Sequence, residues 1–204
     1  KYAPDFDEGG QDIAYALMVL AREGAAAMGD LRYYADVKGD AFDTPLAAAQ
    51  LGAALASYGD QTRADAMFNR AARMLDRQRN QQQNVWRADY GTHLRDAAGL
   101  LTLAVGAGSE AVDRDALIQR VSAGAAPLST QEATWSLLAA HALVSDPTGS
   151  GLTVNGTPVS GPFVQVLQSG QSDEGNITAM DGQATDITLT VTGIPETPPE
   201  AGGT

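Results

Sequence analysis

The basic residues of this 204-residue chain are confined to one part of it. All 13 Lys and Arg precede residue 121, whereas residues 146–204 carry seven acids (Asp146, Asp173, Glu174, Asp181, Asp186, Glu196 and Glu200) and no base. Residue types change at the same place: Ala and Leu dominate before it, and Thr, Val, Gly and Pro after it. Ala and Leu are strong helix formers, while Thr and Val fit a pleated surface. One fold of a single periodicity is therefore excluded. The turn-rich stretch Ser145-Asp146-Pro147-Thr148-Gly149-Ser150-Gly151 marks the junction. The expected organisation is a helical domain over 1–146, a β segment over 147–195 and a Pro/Gly linker over 196–204.

The first part reads as seven helices. Asp12 to Glu23 is apolar nearly all round, and Gly24 ends it. Gly29 to Lys38 is a shorter partner. Thr44-Pro45 is a cap with proline at the first helical position, leading into Leu51, Leu55 and Tyr58 and stopping at Gly59. Asp60 caps a helix whose stripe is Ala64, Met67, Phe68, Ala71 and Leu75, with Arg63, Arg70, Arg73 and Arg77 on the wet side. Asn80 to Asn84 is a polar loop. Thr92 starts a helix through Leu101 and Val105, and Asp113 to Ala123 is short. Ser129-Thr130-Gln131-Glu132 is a capping box before Trp135, Leu138 and Ala142. In the tail, Leu152–Val154 followed by Asn155-Gly156 signals a hairpin, and Phe163–Leu167 and Asp186–Gly193 alternate as strands. Three or four strands in so short a stretch are marginal as an independent sheet.

Two architectures fit alternating apolar and amphipathic helices: a tetratricopeptide-like solenoid, or an α/α toroid with the apolar helices inside. Ala47 to Leu75 has the Gly59-Asp60 turn followed by Ala64, Phe68 and Ala71 of the former, but no 34-residue self-similarity runs through the rest. The toroid is the stronger reading; the alternative is a helical-repeat scaffold for protein interactions.

The chain has no cysteine and two histidines, so thiolate metal sites, a Cys nucleophile and disulfides are excluded, and a zinc or non-haem iron site is not expected. No cofactor is implied. A net charge of −12 argues against nucleic acid and anionic membranes as partners. No apolar run approaches the ~20 residues of a membrane span. Lys1 is not an initiator Met, and the end at Pro198-Pro199-Glu200-Ala201-Gly202-Gly203-Thr204 reads as a linker, so a piece of a longer protein is expected.

The phrases Leu31-Arg32-Tyr33-Tyr34-Ala35, Pro45-Leu46-Ala47-Ala48-Ala49-Gln50-Leu51, Tyr90-Gly91-Thr92-His93-Leu94-Arg95-Asp96, Ser129-Thr130-Gln131-Glu132-Ala133-Thr134-Trp135 and Thr190-Val191-Thr192-Gly193-Ile194-Pro195, in this order, resemble the bacterial α2-macroglobulin family. The resemblance implies that the helices are the C-terminal portion of that family's α/α-toroid thioester-type domain. It makes the β segment part of the CUB-like (macroglobulin-like sandwich) domain into which the toroid is inserted. It also implies a periplasmic, often lipid-anchored protein that inhibits endopeptidases of broad specificity by trapping them, in many members through a Cys–Gln thioester. Proteases and a peptidoglycan synthase are the implied partners. The thioester motif, Cys-x-Glu-Gln, is absent from these 204 residues; Gln131-Glu132 has the wrong order and reads as a helix cap. The segment is thus expected to be non-enzymatic scaffold.

Candidate sites follow from charge and chemistry. Arg87, Asp89, Arg95 and Asp96, with the neighbouring Tyr90, form the densest mixed-charge cluster, read either as an interdomain or partner contact or, preferred, as a salt-bridged helix start. Thioester-bearing relatives of the complement group use a toroid histidine in acyl transfer, a role His93 could take; a cap or surface histidine is the expected reading. His141 is expected to be semi-buried. The Arg63, Arg70, Arg73, Arg77 and Arg79 face, interleaved with Asp60, Asp65 and Asp76, reads as a solvated helix face. Toroids also host carbohydrate-active enzymes, which need converging acids; Asp30, Asp36, Asp40 and Asp43 are available, but two Trp give few rings to wall a sugar cleft.

Overall fold

The computed structural model describes residues 7–80, 87, 89–145, 152–154, 156–158 and 177–179. Seven α-helices run α1 Gln11–Arg22, α2 Met28–Asp36, α3 Pro45–Ser57, α4 Gln61–Asn80, α5 His93–Gly106, α6 Arg114–Ser122 and α7 Thr130–Ser145. Short 3-10 turns at Asp7–Gly10 and Gly39–Ala41 precede α1 and α3.

The boundaries come from the caps. Thr44 Oγ1 accepts the Ala47 N–H at 3.2 Å, with Pro45 opening α3. Thr92 Oγ1 accepts the Arg95 N–H at 3.1 Å, and Asp113 Oδ1 the Ala116 N–H at 3.0 Å. Each satisfies one amide left over in a first turn. Asp60 accepts from Arg32 Nε at 2.8 Å and from the Arg63 amide, and these bonds hold its carboxyl below the usual range, Arg32 contributing most. At the end of α3 the chain must reverse, and Gly59 at φ 78 adopts the left-handed conformation that a side chain would resist.

The helices form two layers. α1, α3, α5 and α7 pack successively against one another, while α2, α4 and α6 lie outside them and scarcely meet each other. The odd-numbered helices are therefore the inner row. Its middle members are the most deeply buried: ten of thirteen residues of α3 and ten of fourteen of α5. This burial follows from their composition, since Ala- and Gly-rich faces let helix axes approach closely. A Cβ on Gly99 of α5 would overlap the Leu46 side chain of α3, and one on Gly52 would press on Ala64 O and the Phe68 ring of α4 at 3.2 Å. Leu31, Phe42, Leu51, Leu55, Phe68, Leu100 and Leu101 fill the core around these crossings.

Ion pairs tie the outer helices to their neighbours. Arg63 of α4 holds Asp36 through Nε at 2.9 Å and Asp60 at 3.1 Å, Arg70 holds Asp40, and Arg120 of α6 holds Asp76 of α4. Arg73 and Arg77 are exposed, as expected of a solvated face, but Arg63 and Arg70 are half-buried, and three charged positions of α4 bridge elements. The Asp36, Asp40 and Asp76 carboxylates of these pairs are open to water, which screens them, whereas that of Asp60 is mostly covered.

In the tail, strands β1 Leu152–Val154, β2 Thr157–Pro158 and β3 Ile177–Ala179 form an antiparallel sheet in the order β2-β1-β3. Val154 pairs with Thr157 and with Ile177. β3 lies where no strand was expected, and the expected strands Phe163–Leu167 and Asp186–Gly193 fall outside the described residues. The described residues establish an α-rich segment with three short strands, not a sandwich. No helix of the described residues is long and apolar enough to cross a membrane.

The α3–α5 approach makes a direct prediction. Replacing Gly99 by Val overpacks the crossing against Leu46 and should lower stability by about 1–3 kcal/mol. Thermal denaturation followed by circular dichroism at 222 nm measures this, and an unchanged midpoint would refute the close approach.

Candidate functional site

The charged cluster is assembled by the start of α5 and the loop before it. Arg87 Nε and Nη2 donate to the two oxygens of Asp89 at 2.9 and 2.6 Å, and Nη1 donates to Asp96 Oδ2 at 2.6 Å. Arg95 donates from Nε and Nη2 to Asp96 Oδ1 at 3.0 and 2.6 Å, and from Nη2 to Asp89 Oδ2. Two guanidiniums and two carboxylates thus alternate in a closed ring of zero net charge. The side chains of Arg95 and Asp96 are 4% and 0% exposed, those of Arg87 and Asp89 19% and 9%. Ions this deep survive only because each is paired and hydrogen-bonded.

The backbone turn is shaped to fit. Tyr90 sits at φ 52, and the Gly91 N–H donates to Asp89 Oδ1 at 3.0 Å. A Cβ on Gly91 would run into both guanidiniums, so this position requires glycine. Tyr90 itself is 75% exposed and takes no part in the ring.

The ring is bonded across to α7. Arg95 Nη1 donates to Gln131 Oε1 at 3.0 Å and to the Asp89 carbonyl at 3.2 Å. Thr92 Oγ1, while capping α5, donates its hydrogen to Glu132 Oε1 at 2.7 Å. Glu132 Oε2 accepts the Ser129 N–H at 2.7 Å, and Ser129 Oγ accepts the Glu132 N–H at 3.3 Å. The capping box is therefore formed, and its glutamate also serves the neighbouring helix. Ser129, with Thr92, holds the Glu132 carboxyl below its ordinary value. Burial by itself would raise the Asp89 pKa, but Arg95 and Arg87 outweigh it and the carboxyl lies low. For Arg87 burial opposes the charge, and Asp96 followed by Asp89 more than restores it.

A cavity of about 250 Å³ lies beside the ring, walled by Tyr15, Thr44, Leu46, Gln50, Arg95 and Trp135 among others. It sits where the N-terminal ends of α1, α3 and α5 come together. Within the ring each carboxylate is held by two guanidiniums, which fixes the loop before α5 to the start of that helix.

The other candidates stay apart. His93 is the exposed first residue of α5. His141 is exposed, not semi-buried as expected: α7 is covered by α5 on one side only, and Ala139 is its single fully buried residue. Asp36 and Asp40 are engaged by Arg63 and Arg70, Asp43 lies against Gly9, and Asp30 is exposed in the first turn of α2. Among the described residues no group of three or more His, Asp or Glu could hold a metal. Arg79 lies where side chains are not described. Thr92, Gln131 and Glu132 were not foreseen as partners of the ring, nor Gln50 as a cavity residue; the signal for Gln50 was a lone amide inside an apolar run.

Comparison with known proteins gives a consistent family of relatives, although no family model matches the chain. A stretch of 90 residues, 44% of this chain, is 40% identical to alpha-2-macroglobulin of Escherichia coli (strain K12) and spans 5% of that protein. Among solved structures, Salmonella alpha-2-macroglobulin reacted with methylamine matches with a TM-score of 0.55 and 29% identity, over 79% of this chain and 10% of that one. Native E. coli alpha-2-macroglobulin from domain MG7 to the C-terminus matches with a TM-score of 0.56 and 27% identity, over 89% and 28% of the two chains. In sequence over part of its length and in fold, then, the chain is similar to bacterial alpha-2-macroglobulins, and it spans a small part of their length.

Replacing Arg95 by Met would leave the buried Asp89 and Asp96 to share Arg87, one negative charge in excess, and should destabilise by about 3 kcal/mol, whereas Tyr90→Gly should stay within about 1 kcal/mol because its left-handed backbone suits glycine. Urea titrations compare the two, and equal effects would contradict the ring. The pH dependence has a definite sign. The folded pKa of Asp89 lies below the ordinary 3.8, so its stabilisation is complete above that value and is lost as pH falls through the folded pKa. The melting temperature should therefore fall in acid below about pH 4, and less steeply in Asp89→Asn, which starts lower at neutral pH.

Proposed function

We propose that this relative of the bacterial alpha-2-macroglobulins is scaffold from a protease-trapping protein of the cell envelope. The helices, over 1–146, are the C-terminal portion of an α/α-toroid thioester-type domain; 147–195 belong to a CUB-like β-domain, and 196–204 lead onward. In this reading the whole protein inhibits endopeptidases of broad specificity in the periplasm, with proteases as its targets and a peptidoglycan synthase as a candidate companion, and this segment catalyses nothing itself.

The observation that carries the reading is the inner row of helices and its two edges. α1 exposes Tyr15, Val19 and Leu20 on one flank of the row, and α7 exposes Leu137, Leu138 and Val144 on the other. Apolar edges on both sides suit an arc whose neighbours are further helices of the same kind, as in a ring. The sequence and fold resemblance supports the same assignment. The ring of Arg87, Asp89, Arg95 and Asp96 then holds the α5–α7 part of the arc in shape, close to the rim where an adjoining domain would sit. With no cysteine in the chain, covalent capture would have to use a residue outside it.

The test uses the full-length parent protein. Incubated with a panel of endopeptidases, it should block their attack on a large protein substrate while leaving small peptide substrates accessible. Proteases that remain fully active on the large substrate would refute trapping. If a thioester lies elsewhere in that protein, methylamine pretreatment should abolish covalent conjugates.

A further inference from the structure

The geometry points to a binding site for a neutral peptide-type amide in the cavity around Gln50. Such a site stands apart from the protease-trapping reading, since it rests on one buried side chain and its surroundings.

Gln50 lies in the middle of α3, the one polar side chain between Leu46 and Leu55. It is 5% exposed and lines the cavity. Its amide makes no hydrogen bond with any described residue, and its polar atoms are not among those sealed from solvent. A buried primary amide carries two donors and an acceptor, and groups so placed are paired in nearly all folded proteins. Here the cavity is the space through which a partner would reach it. The complement of an amide is a donor and an acceptor side by side, which another amide presents.

Charge narrows the class. The Arg95 guanidinium borders the cavity, yet its three nitrogens already donate to Asp89, Asp96 and Gln131. The first turns of α3 and α5 are capped by Thr44 and Thr92. An anion could take the Gln50 amide hydrogens, but it would face the carboxylates of Asp12 and Asp89. A cation would meet Arg95. A neutral group escapes both penalties, and Tyr15, Leu46 and Trp135 supply apolar walls for its flanks. The half-open cavity, about 250 Å³, is large enough to seat a unit of one residue.

The test follows the indole N–H resonance of Trp135 in the ¹⁵N-labelled chain carrying Trp86→Phe. N-acetyl-L-leucine N-methylamide, acetamide, sodium acetate and glucose are each titrated into it. Saturable shifts with either amide but not with acetate or glucose support the site. Saturation with acetamide would identify a free small amide as the occupant, and saturation with the blocked leucine alone a peptide backbone. Gln50→Leu, which keeps the side-chain volume, should weaken amide binding at least tenfold while leaving the melting transition cooperative. Gln50→Asn tests the same amide on a shorter stem and should bind more weakly than the parent and more tightly than the leucine variant. Absence of saturation with both amides, equal binding of acetate, or undiminished binding in a folded Gln50→Leu would each overturn the proposal, the first leaving a cavity that holds only water.

Discussion

The close approach of α3 to α5 is the contact on which the rest of the helical part depends. It is possible because small residues meet there: Gly99 faces Leu46, and Ala47, Ala48, Ala97 and Ala98 are buried at or near full depth. α1 rests on α3, and α6 and α7 rest on α5, so spacing errors at this crossing would be passed to both flanks. The cost of such an arrangement is intolerance to added volume, because interiors at crystal-like density have no slack to absorb a methyl group.

A second constraint, the ring of two arginines and two aspartates, begins at the same place on α5. Replacing a buried ionic group wholesale by apolar side chains is often neutral or stabilising, so such rings are not explained by stability alone. What this one adds is direction. Arg95 reaches Gln131 while Thr92 reaches Glu132, and these two links cross 36 and 40 residues to fix the start of α7 against the start of α5. Apolar packing between two helices tolerates sliding; paired hydrogen bonds at their ends do not.

Five of the seven helices, α3 to α7, were legible in the sequence because their first turns carry local chemistry, whereas α1 and α2 have no side-chain cap. Thr44-Pro45, Asp60, Thr92, Asp113 and the Ser129–Glu132 box each announce a first turn through bonds made within three residues. The cluster at Arg87, Asp89, Arg95 and Asp96 was legible as charge density, but its partition was not. Tyr90 looked like a member and points to solvent, whereas Gln131 and Glu132 looked like a cap alone and join from another helix. Local spacing does not report which helix ends become neighbours. The same ignorance misplaced His141, since a helix apolar on nearly every side suggests burial, and α7 is covered on one. The hairpin at β1 and β2 had a turn signal at Asn155-Gly156; β3 had none, its pairing with β1 being set by register between strands far apart in sequence.

The inner row has one further consequence. The starts of α1, α3 and α5 meet at a single cavity, and that of α7 is bonded to α5, so the positive ends of four macrodipoles are gathered at one end of the row. Ends of one sign repel, whereas the antiparallel pairs of an up-and-down bundle attract. The first turns of three of them answer with an acid: Asp12 on α1, Asp96 on α5 and Glu132 on α7. α3 has none, and Thr44 with the adjacent Asp89 stands in. One rim of the inner row is thus an electrostatically balanced surface made from opposed parts. Salt, which screens exposed charge but not buried dipoles, should disturb that rim far less than the arginine-bridged outer layer.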